Sequence, residues 1–364
     1  MQVFIIGPTD KRGFLMSMYG VNKVSVNCFV KVFFPAILMG LMPYCPNRRI
    51  SRFLLVYSLA FHILHRCFYI YVLTRYIGQY SDMDFVLMSL ICTNCIFKTS
   101  CIVSHLFSII RGREKFLSIV DVCLNEDFTR NRFRFITLAG VFVLPIPLIA
   151  RQVVDTGWVS MMYCIGGIVD IVSIFLIAMQ YCTLLEIATK RFIATKFSLH
   201  MQLNEIENAT DMHNNILELT KKIHSIYGRT ILVEVCYLGF DFIVAFYDAI
   251  QSVRVHQLYT WGVSTFFCSI GYILTIYILC NACETVMRMA EKFNAELFRL
   301  MRENKELCKN EKLQLYVTMK QTVNFTACGF FTLGYPLVTS IIAAATTYLV
   351  ILVQFSMPAA PAKT

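Results

Sequence analysis

"GFFTLGYPLVTSIIAAATTYLVILVQF" (residues 329–355) runs almost to the end of the chain without one Lys, Arg, His, Asp or Glu. A helix needs about 20 mainly apolar residues to cross the hydrocarbon core of a bilayer, and this stretch exceeds that. It reads as a membrane span. Gly334 and Pro336 near its start can bend or break a helix. The run "TSIIAAATT" (339–347) supplies small and hydroxyl residues of the kind that let membrane helices approach closely. Thr347 and Gln354 then share one face with Ile351 between them, while Tyr348, Leu352 and Phe355 form the neighbouring stripe. Two roles suit this pattern. The helix packs inside its own bundle with Gln354 satisfied at the outer interface, or several copies surround an axis that their aliphatic and aromatic side chains narrow.

The whole chain shares the character of its last span. Of its 364 residues 57% are hydrophobic and 15% charged, with mean hydropathy +0.60. A soluble domain carries about 45–50% apolar and about 25% charged residues. The expected class is therefore all-α, a polytopic membrane protein. Apolar windows place spans at 53–77, 85–110, 134–152, 158–183, 231–251, 258–283 and 329–355, seven in total. An eighth stretch, "CFVKVFFPAILMGLMPY" (28–44), is shorter and is interrupted by Lys31, Pro35 and Gly40, so we read it as interfacial or re-entrant.

Basic residues set the orientation, because Lys and Arg are retained in the cytoplasm during insertion. The amino-terminal segment and the second, fourth and sixth connections hold 27 of the 33 Lys and Arg. This puts the amino terminus in the cytoplasm and, after seven spans, the carboxyl terminus outside, the reverse of a G-protein-coupled receptor. The fourth and sixth connections show apolar residues at three- and four-residue spacing between charges, as helices extended into the cytoplasm would. The expected layout is a cytoplasmic segment with an interfacial helix (1–52), a six-helix ligand-binding bundle (53–283) with a cytoplasmic helical loop (184–230), cytoplasmic anchor helices (284–328), a final pore-lining span (329–355) and an extracellular tail (356–364).

Other features narrow the chemistry. "MQVFIIGPTDKRG" lacks the order of a secretory signal, so no cleavage is expected. "CTNC" (Cys92, Cys95) and "CNAC" (Cys280, Cys283) have zinc-like spacing, but they lie in apolar helices without a matching pair in a loop, and no metal or cofactor is expected. The sequons at Asn208 and Asn324 fall on the cytoplasmic side and are expected to be unmodified. No nucleophile elbow, metal-ligand helix motif or phosphate loop points to an enzyme. The net charge of +10 belongs to loops facing anionic lipid, with no nucleic-acid signature.

"TYLVILVQF" (347–355), Thr-Tyr followed by five aliphatics and Gln-Phe, resembles the pattern that closes the last membrane helix of insect gustatory receptors. Seven spans, an inside amino terminus, long second and third cytoplasmic loops and "GLMPY" (40–44) before the first span fit the same family. The resemblance implies a ligand-gated, non-selective cation channel related to insect odorant receptors, without a G protein. Four identical or related subunits would surround a pore lined by the last helix. It would place Gln354 and Phe355 at or near the gate, with Thr347, Tyr348 and Ile351 along the pore. Sugar-sensing relatives tend to carry an acidic residue where this chain has Leu349, which points toward a bitter or otherwise aversive tastant.

Charges within spans are costly, about 2.5–3.5 kcal/mol each on insertion scales. Arg66, Lys98, Asp170 and Asp241 lie near the middles of the first, second, fourth and fifth spans, which suggests internal pairing. The alternative role is a tastant cavity in the outer half of the bundle. Trp158, Tyr163, Asp170, Asp241, Tyr247, Asp248 and Trp261 are its candidate lining. Two other functions share these features: an odorant-receptor-type subunit that needs a co-receptor, and a secondary transporter that uses the buried charges as an ion relay.

Overall fold

The computed structural model describes residues 33–44, 51–79, 85–124, 158–197, 199, 203–254, 259–319 and 322–355. Ten helices account for nearly all of them. They are α1 (33–38), α2 (Arg52–Gln79), α3 (Phe85–Arg111), α4 (Arg113–Leu124), α5 (Trp158–Phe197), α6 (Leu203–Arg254), α7 (Tyr259–Glu303), α8 (Lys305–Cys308), α9 (Glu311–Thr318) and α10 (Tyr335–Phe355). Six of these, α2, α3, α5, α6, α7 and α10, are long and apolar enough to cross a membrane. They coincide with six of the seven expected spans. The remaining one, 134–152, lies outside the described residues.

Three helices outlast the bilayer. At 1.5 Å per residue α5, α6 and α7 extend roughly 60, 78 and 68 Å, against about 30 Å of hydrocarbon. The amphipathic stretches 184–197, 203–230 and 284–303 are thus continuations of membrane helices, without a break at the apolar-to-polar transition. α6 is the central element and packs against α3, α5, α7 and α10. The core between these helices includes Ile177, Tyr181 and Leu185 from α5, Tyr227, Ile231 and Leu238 from α6, and Ile276, Leu279 and Cys283 from α7.

The segment around α1 folds into this core. Its chain turns at Gly40, whose φ of 65° is the left-handed conformation that glycine adopts without a Cβ penalty. Three side chains of α2 hold the turn. The Tyr57 hydroxyl donates to the Leu38 carbonyl at 2.6 Å, the Ser58 hydroxyl donates to the Gly40 carbonyl, and His62 Nε2 lies 3.2 Å from the same oxygen. Leu41, Met42 and Tyr44 are buried. The Tyr44 hydroxyl donates to the Ile109 carbonyl of α3 at 3.0 Å while its ring stacks on Phe116 of α4. Residues 33–44 thus pack against α2, α3 and α4, with the helix broken at Gly40.

Beyond the apolar region the long helices assemble a second, smaller core. Leu199, Ile206, Ala209, Phe293, Leu297, Met301, Leu307 and Leu313 are buried together there. At its centre His213 stacks on Phe293, ring centroids 4.1 Å apart, touches Phe192 at 5.0 Å and hydrogen-bonds the Tyr316 hydroxyl. Burial pushes that hydroxyl's pKa above its usual range. The two short helices are stopped and restarted by asparagines. Asn304 Oδ1 accepts from Glu306 N, and Asn310 Oδ1 accepts from Lys312 N and Leu313 N, each satisfying helix-start donors. Truncating Phe293 to Ala empties this layer's aromatic stack. We expect a loss of about 3–5 kcal/mol, read as a lower unfolding temperature of the purified protein. Phe298→Ala, on the exposed side of the same helix, leaves the transition unchanged.

Candidate pore helix and intramembrane charge network

α10 is entered through a tight hairpin. Thr326 and Thr332 form an antiparallel bridge, Ala327 N donates to Phe331 O at 2.8 Å, and Leu333 N donates to Phe325 O at 2.8 Å. The turn uses left-handed backbone at Cys328 (φ 50°) and Gly329 (φ 83°). Phe325, Ala327 and Leu333 plug the hairpin into the main core. Helix begins at Tyr335 rather than at Gly329, so the first residues of the expected span 329–355 belong to this hairpin. Pro336 sits in the first turn, where its missing N–H costs nothing. The Tyr335 hydroxyl donates to Asn281 Oδ1 at 2.7 Å, and the Arg288 guanidinium lies over the Tyr335 ring at 5.5 Å. The root of α10 is therefore fixed to α7.

Past its root α10 is the least covered helix of the bundle. Val338 and Ala345 are buried, Ile341 packs toward Gly239 of α6, Leu337, Leu349, Leu352 and Val353 are half-buried, and the other described side chains beyond the root are exposed. Thr347, Tyr348, Ile351 and Gln354 are all exposed. Phe355 ends the helix, and its side chain lies outside the described ones. The exposed face differs in kind from that of α2. α2 presents Phe53, Val56, Leu59, Ile63, Leu64 and Phe68, bulky side chains suited to lipid. α10 presents Thr339, Ser340, Ala343, Ala344, Thr346 and Thr347 beside the larger Ile342, Tyr348, Val350 and Ile351. Its hydroxyls donate to carbonyls of their own helix, Thr346 to Ile342 at 2.8 Å and Thr347 to Ala343 at 3.1 Å. Those oxygens keep lone pairs directed outward, on a surface narrow enough for another helix or a file of water.

The charged residues meet inside the bundle. The Arg66 guanidinium engages the Asp170 carboxylate with both terminal nitrogens, one at 3.0 Å. Asp170 is 1% exposed and Arg66 14%, and His65 Nδ1 lies 3.6 Å from the same carboxylate. This fork-to-fork geometry is the strongest form of the pair. On α6, Asp241 is buried and accepts a hydrogen bond from Asn94 Nδ2 of α3. Lys98, also buried and one turn further along α3, acts on Asp241 electrostatically. Asn94 was not singled out from the sequence. Its signal was a polar side chain four residues from Lys98 in an apolar window.

The remaining pocket candidates lie on α5, α6 and α7. Tyr247 is buried, and its hydroxyl accepts from Gln251 Nε2 one turn along the same helix at 2.9 Å. Asp248 is half-buried. Trp158 and Tyr163 lie near the start of α5 and Trp261 near the start of α7, and their side chains lie outside the described ones. Among the described residues no group of three His, Cys, Asp or Glu could hold a metal ion.

The 7tm chemosensory receptor family model matches residues 32–358, and the chain belongs to that family. It is a multi-pass membrane receptor of a family that does not consist of enzymes. The chain is 27% identical over 167 residues to Gustatory receptor 68a of Drosophila melanogaster, covering 43% of this chain and 42% of that protein. It is also 27% identical over 163 residues to Putative gustatory receptor 28b of the same species, covering 42% of this chain and 34% of that one. The matches therefore span less than half the length of these relatives. Among solved structures, the insect olfactory receptor OR5 from Machilis hrabei superposes with a TM-score of 0.67 at 14% identity, over 92% of this chain and 99% of that one. The same receptor in complex with eugenol superposes at 0.64 and 14% identity, over 95% and 100%. At that identity the likeness establishes a shared fold.

The Arg66–Asp170 pair yields a test. Arg66→Gln leaves a carboxylate buried without its cation, which costs about 3–5 kcal/mol. We expect Arg66→Gln to abolish a monodisperse size-exclusion peak, and the joint replacement Arg66→Met with Asp170→Leu to restore it. If the joint replacement also fails, the pair has a role beyond mutual neutralisation.

Proposed function

We propose that this chain is a gustatory receptor subunit that assembles as a tetramer and forms a ligand-gated, non-selective cation channel. The observation that carries the reading is the outward face of α10. A helix with mean hydropathy 2.1 leaves most of its span exposed in a single subunit, and its exposed face sets a run of small and hydroxyl residues, Thr339, Ser340, Ala343, Ala344, Thr346 and Thr347, beside Ile342, Tyr348, Val350 and Ile351. Copies of this chain or of related subunits, placed around an axis, would cover its flanks and leave Thr347, Ile351 and Gln354 to line a pore. The sequence pattern "TYLVILVQF" and the fold shared with an olfactory receptor support the same arrangement. Gln354 and Phe355 form the outer constriction, and Tyr348 packs between neighbouring subunits.

The ligand is a small, partly apolar tastant. Leu349 in place of an acidic residue favours a bitter or aversive compound over a sugar. Asp241, Tyr247 and Asp248 of α6, with Trp158, Tyr163 and Asp170 of α5 and Trp261 of α7, are the proposed lining of its site. The plasma membrane of a sensory neuron is the expected location.

Cross-linking tests the pore axis without a ligand. Thr347→Cys and Gln354→Cys, on one side of an axis, should give oxidised dimers above the wild-type background, whereas Ile63→Cys on the lipid face of α2 should not. Cation currents evoked by a panel of bitter compounds in cells expressing the chain, alone or with related receptors, should change their permeability ratio in Gln354→Ala. Absence of α10 cross-links in surface-delivered protein would remove the pore assignment.

A further inference from the structure

At the end of the membrane bundle that carries the basic connections, a cavity of about 720 Å³ opens between the α3–α4 junction, the middle of α6 and the hairpin that roots α10. Its walls include Arg111, Arg113, Lys115 and Arg229, four cations against the one carboxylate of Glu114. The four are exposed, and none makes an ion pair with a described carboxylate. Arg111 and Arg229 come from different helices to the same aromatic ring, their guanidinium carbons 5.7 and 5.6 Å from the centroid of Phe107. The ring holds the stems of two cations that would otherwise repel each other, a geometry that leaves both guanidinium edges free to bind. Lys115 is drawn to the same rim by a 3.4 Å contact with Ser225 of α6.

We propose that this cavity binds a multiply phosphorylated headgroup, an anion bearing several phosphate monoesters on one small ring. Guanidinium forks match phosphate oxygens bidentately, and an excess of three positive charges exceeds what one carboxylate or one phosphodiester can neutralise. The volume fits a substituted ring rather than a lone phosphate. The setting favours a lipid as carrier. Val103, Phe107 and Ile110 form one exposed apolar face of α3 that leads directly to the cavity mouth, a path for acyl chains beneath a polar head at the level where Lys and Arg meet anionic lipid.

Occupancy would reach the pore helix by a short route. The fourth wall is the hairpin turn itself, Thr326, Cys328 and Gly329. His224, which also lines the cavity, places Nε2 2.9 Å from the Thr326 carbonyl and Nδ1 3.3 Å from the Tyr181 hydroxyl of α5. A bound headgroup therefore touches α3, α4, α6 and the root of α10 together.

Cys328 supplies a direct readout in the wild-type protein, since it is an exposed free thiol on the cavity wall, while Cys308, also exposed and free, lies in the distal layer. Purified full-length protein in phosphatidylcholine vesicles would be labelled with a maleimide, with and without phosphatidylinositol bisphosphate in the membrane, and separately with soluble inositol trisphosphate. We expect a several-fold slowing at Cys328 relative to Cys308, lost in Arg111→Gln with Arg229→Gln and retained in Arg302→Gln with Lys312→Gln. Protection by the lipid alone assigns a membrane-borne ligand, and protection by the soluble compound as well assigns the headgroup as sufficient. Equal protection by phosphatidylserine at the same surface charge, or unchanged Cys328 labelling with every phosphate probe, overturns the site. No current is measured, so this result and the channel reading stand or fall separately.

Discussion

The carboxylate of Asp170 sits in the fourth expected span with no water to solvate it, and the fold depends on Arg66 meeting it from the first. A bidentate pair at 1% and 14% exposure fixes the rotation of α2 and α5 about their own axes, since neither charge can turn toward lipid. The consequences spread along both helices. With Arg66 committed, the rest of α2's inward stripe comprises Ser58, His62, Tyr69 and Val72 at helical spacing. Ser58 and His62 then hold the Gly40 turn, and Tyr69 lies over Gly166, where an added Cβ would stand 2.5 Å from its ring. One ion pair orients a membrane helix, the turn at Gly40 and a small-residue contact.

A second constraint is that non-helical backbone must pair its polar groups wherever it packs against the core. The non-helical connection next to α10 obeys it by forming a hairpin whose carbonyls and amides pair with each other and with His224. Rigidity follows from this. The hairpin is plugged by Phe325 and Leu333, and the first turn of α10 is tied to α7 through Tyr335. The outer part of α10, in contrast, makes few contacts within its own subunit. A helix held firmly at one end and uncovered at the other is suited to move relative to its neighbours at the uncovered end.

The layer beyond the apolar bundle shows how one helix serves two environments. α6 changes from an apolar sequence (231–251) to an amphipathic one (203–230) without interrupting its backbone. Its lower half packs His213 into the aromatic stack of the distal core, and its upper half carries Asp241 among the membrane helices. The rigid rod joins the two cores, so displacement in one is transmitted to the other without a hinge between them.

Much of this was legible in the sequence. Twenty-residue apolar windows located six described membrane helices, because the bilayer demands that length whatever the packing. Pro35 and Gly40 marked the break in the segment before α2, and the charges at 66, 98, 170 and 241 announced themselves by their cost in hydrocarbon. Their partners were not legible. Arg66 chose Asp170, and Asp241 took Asn94, because of helix rotations set by long-range packing. The hairpin at 325–333 was hidden in an apolar run whose period does not separate a strand turn from a helix start. The basic cavity was scattered across residues 107–115, 224–229 and 326–329, which converge only when α3, α6 and the α10 root are brought together. The sequence alone determined which segments leave water, since transfer free energy is a local sum over side chains. Tertiary structure decided which buried groups meet, since that depends on contacts between residues more than a hundred positions apart.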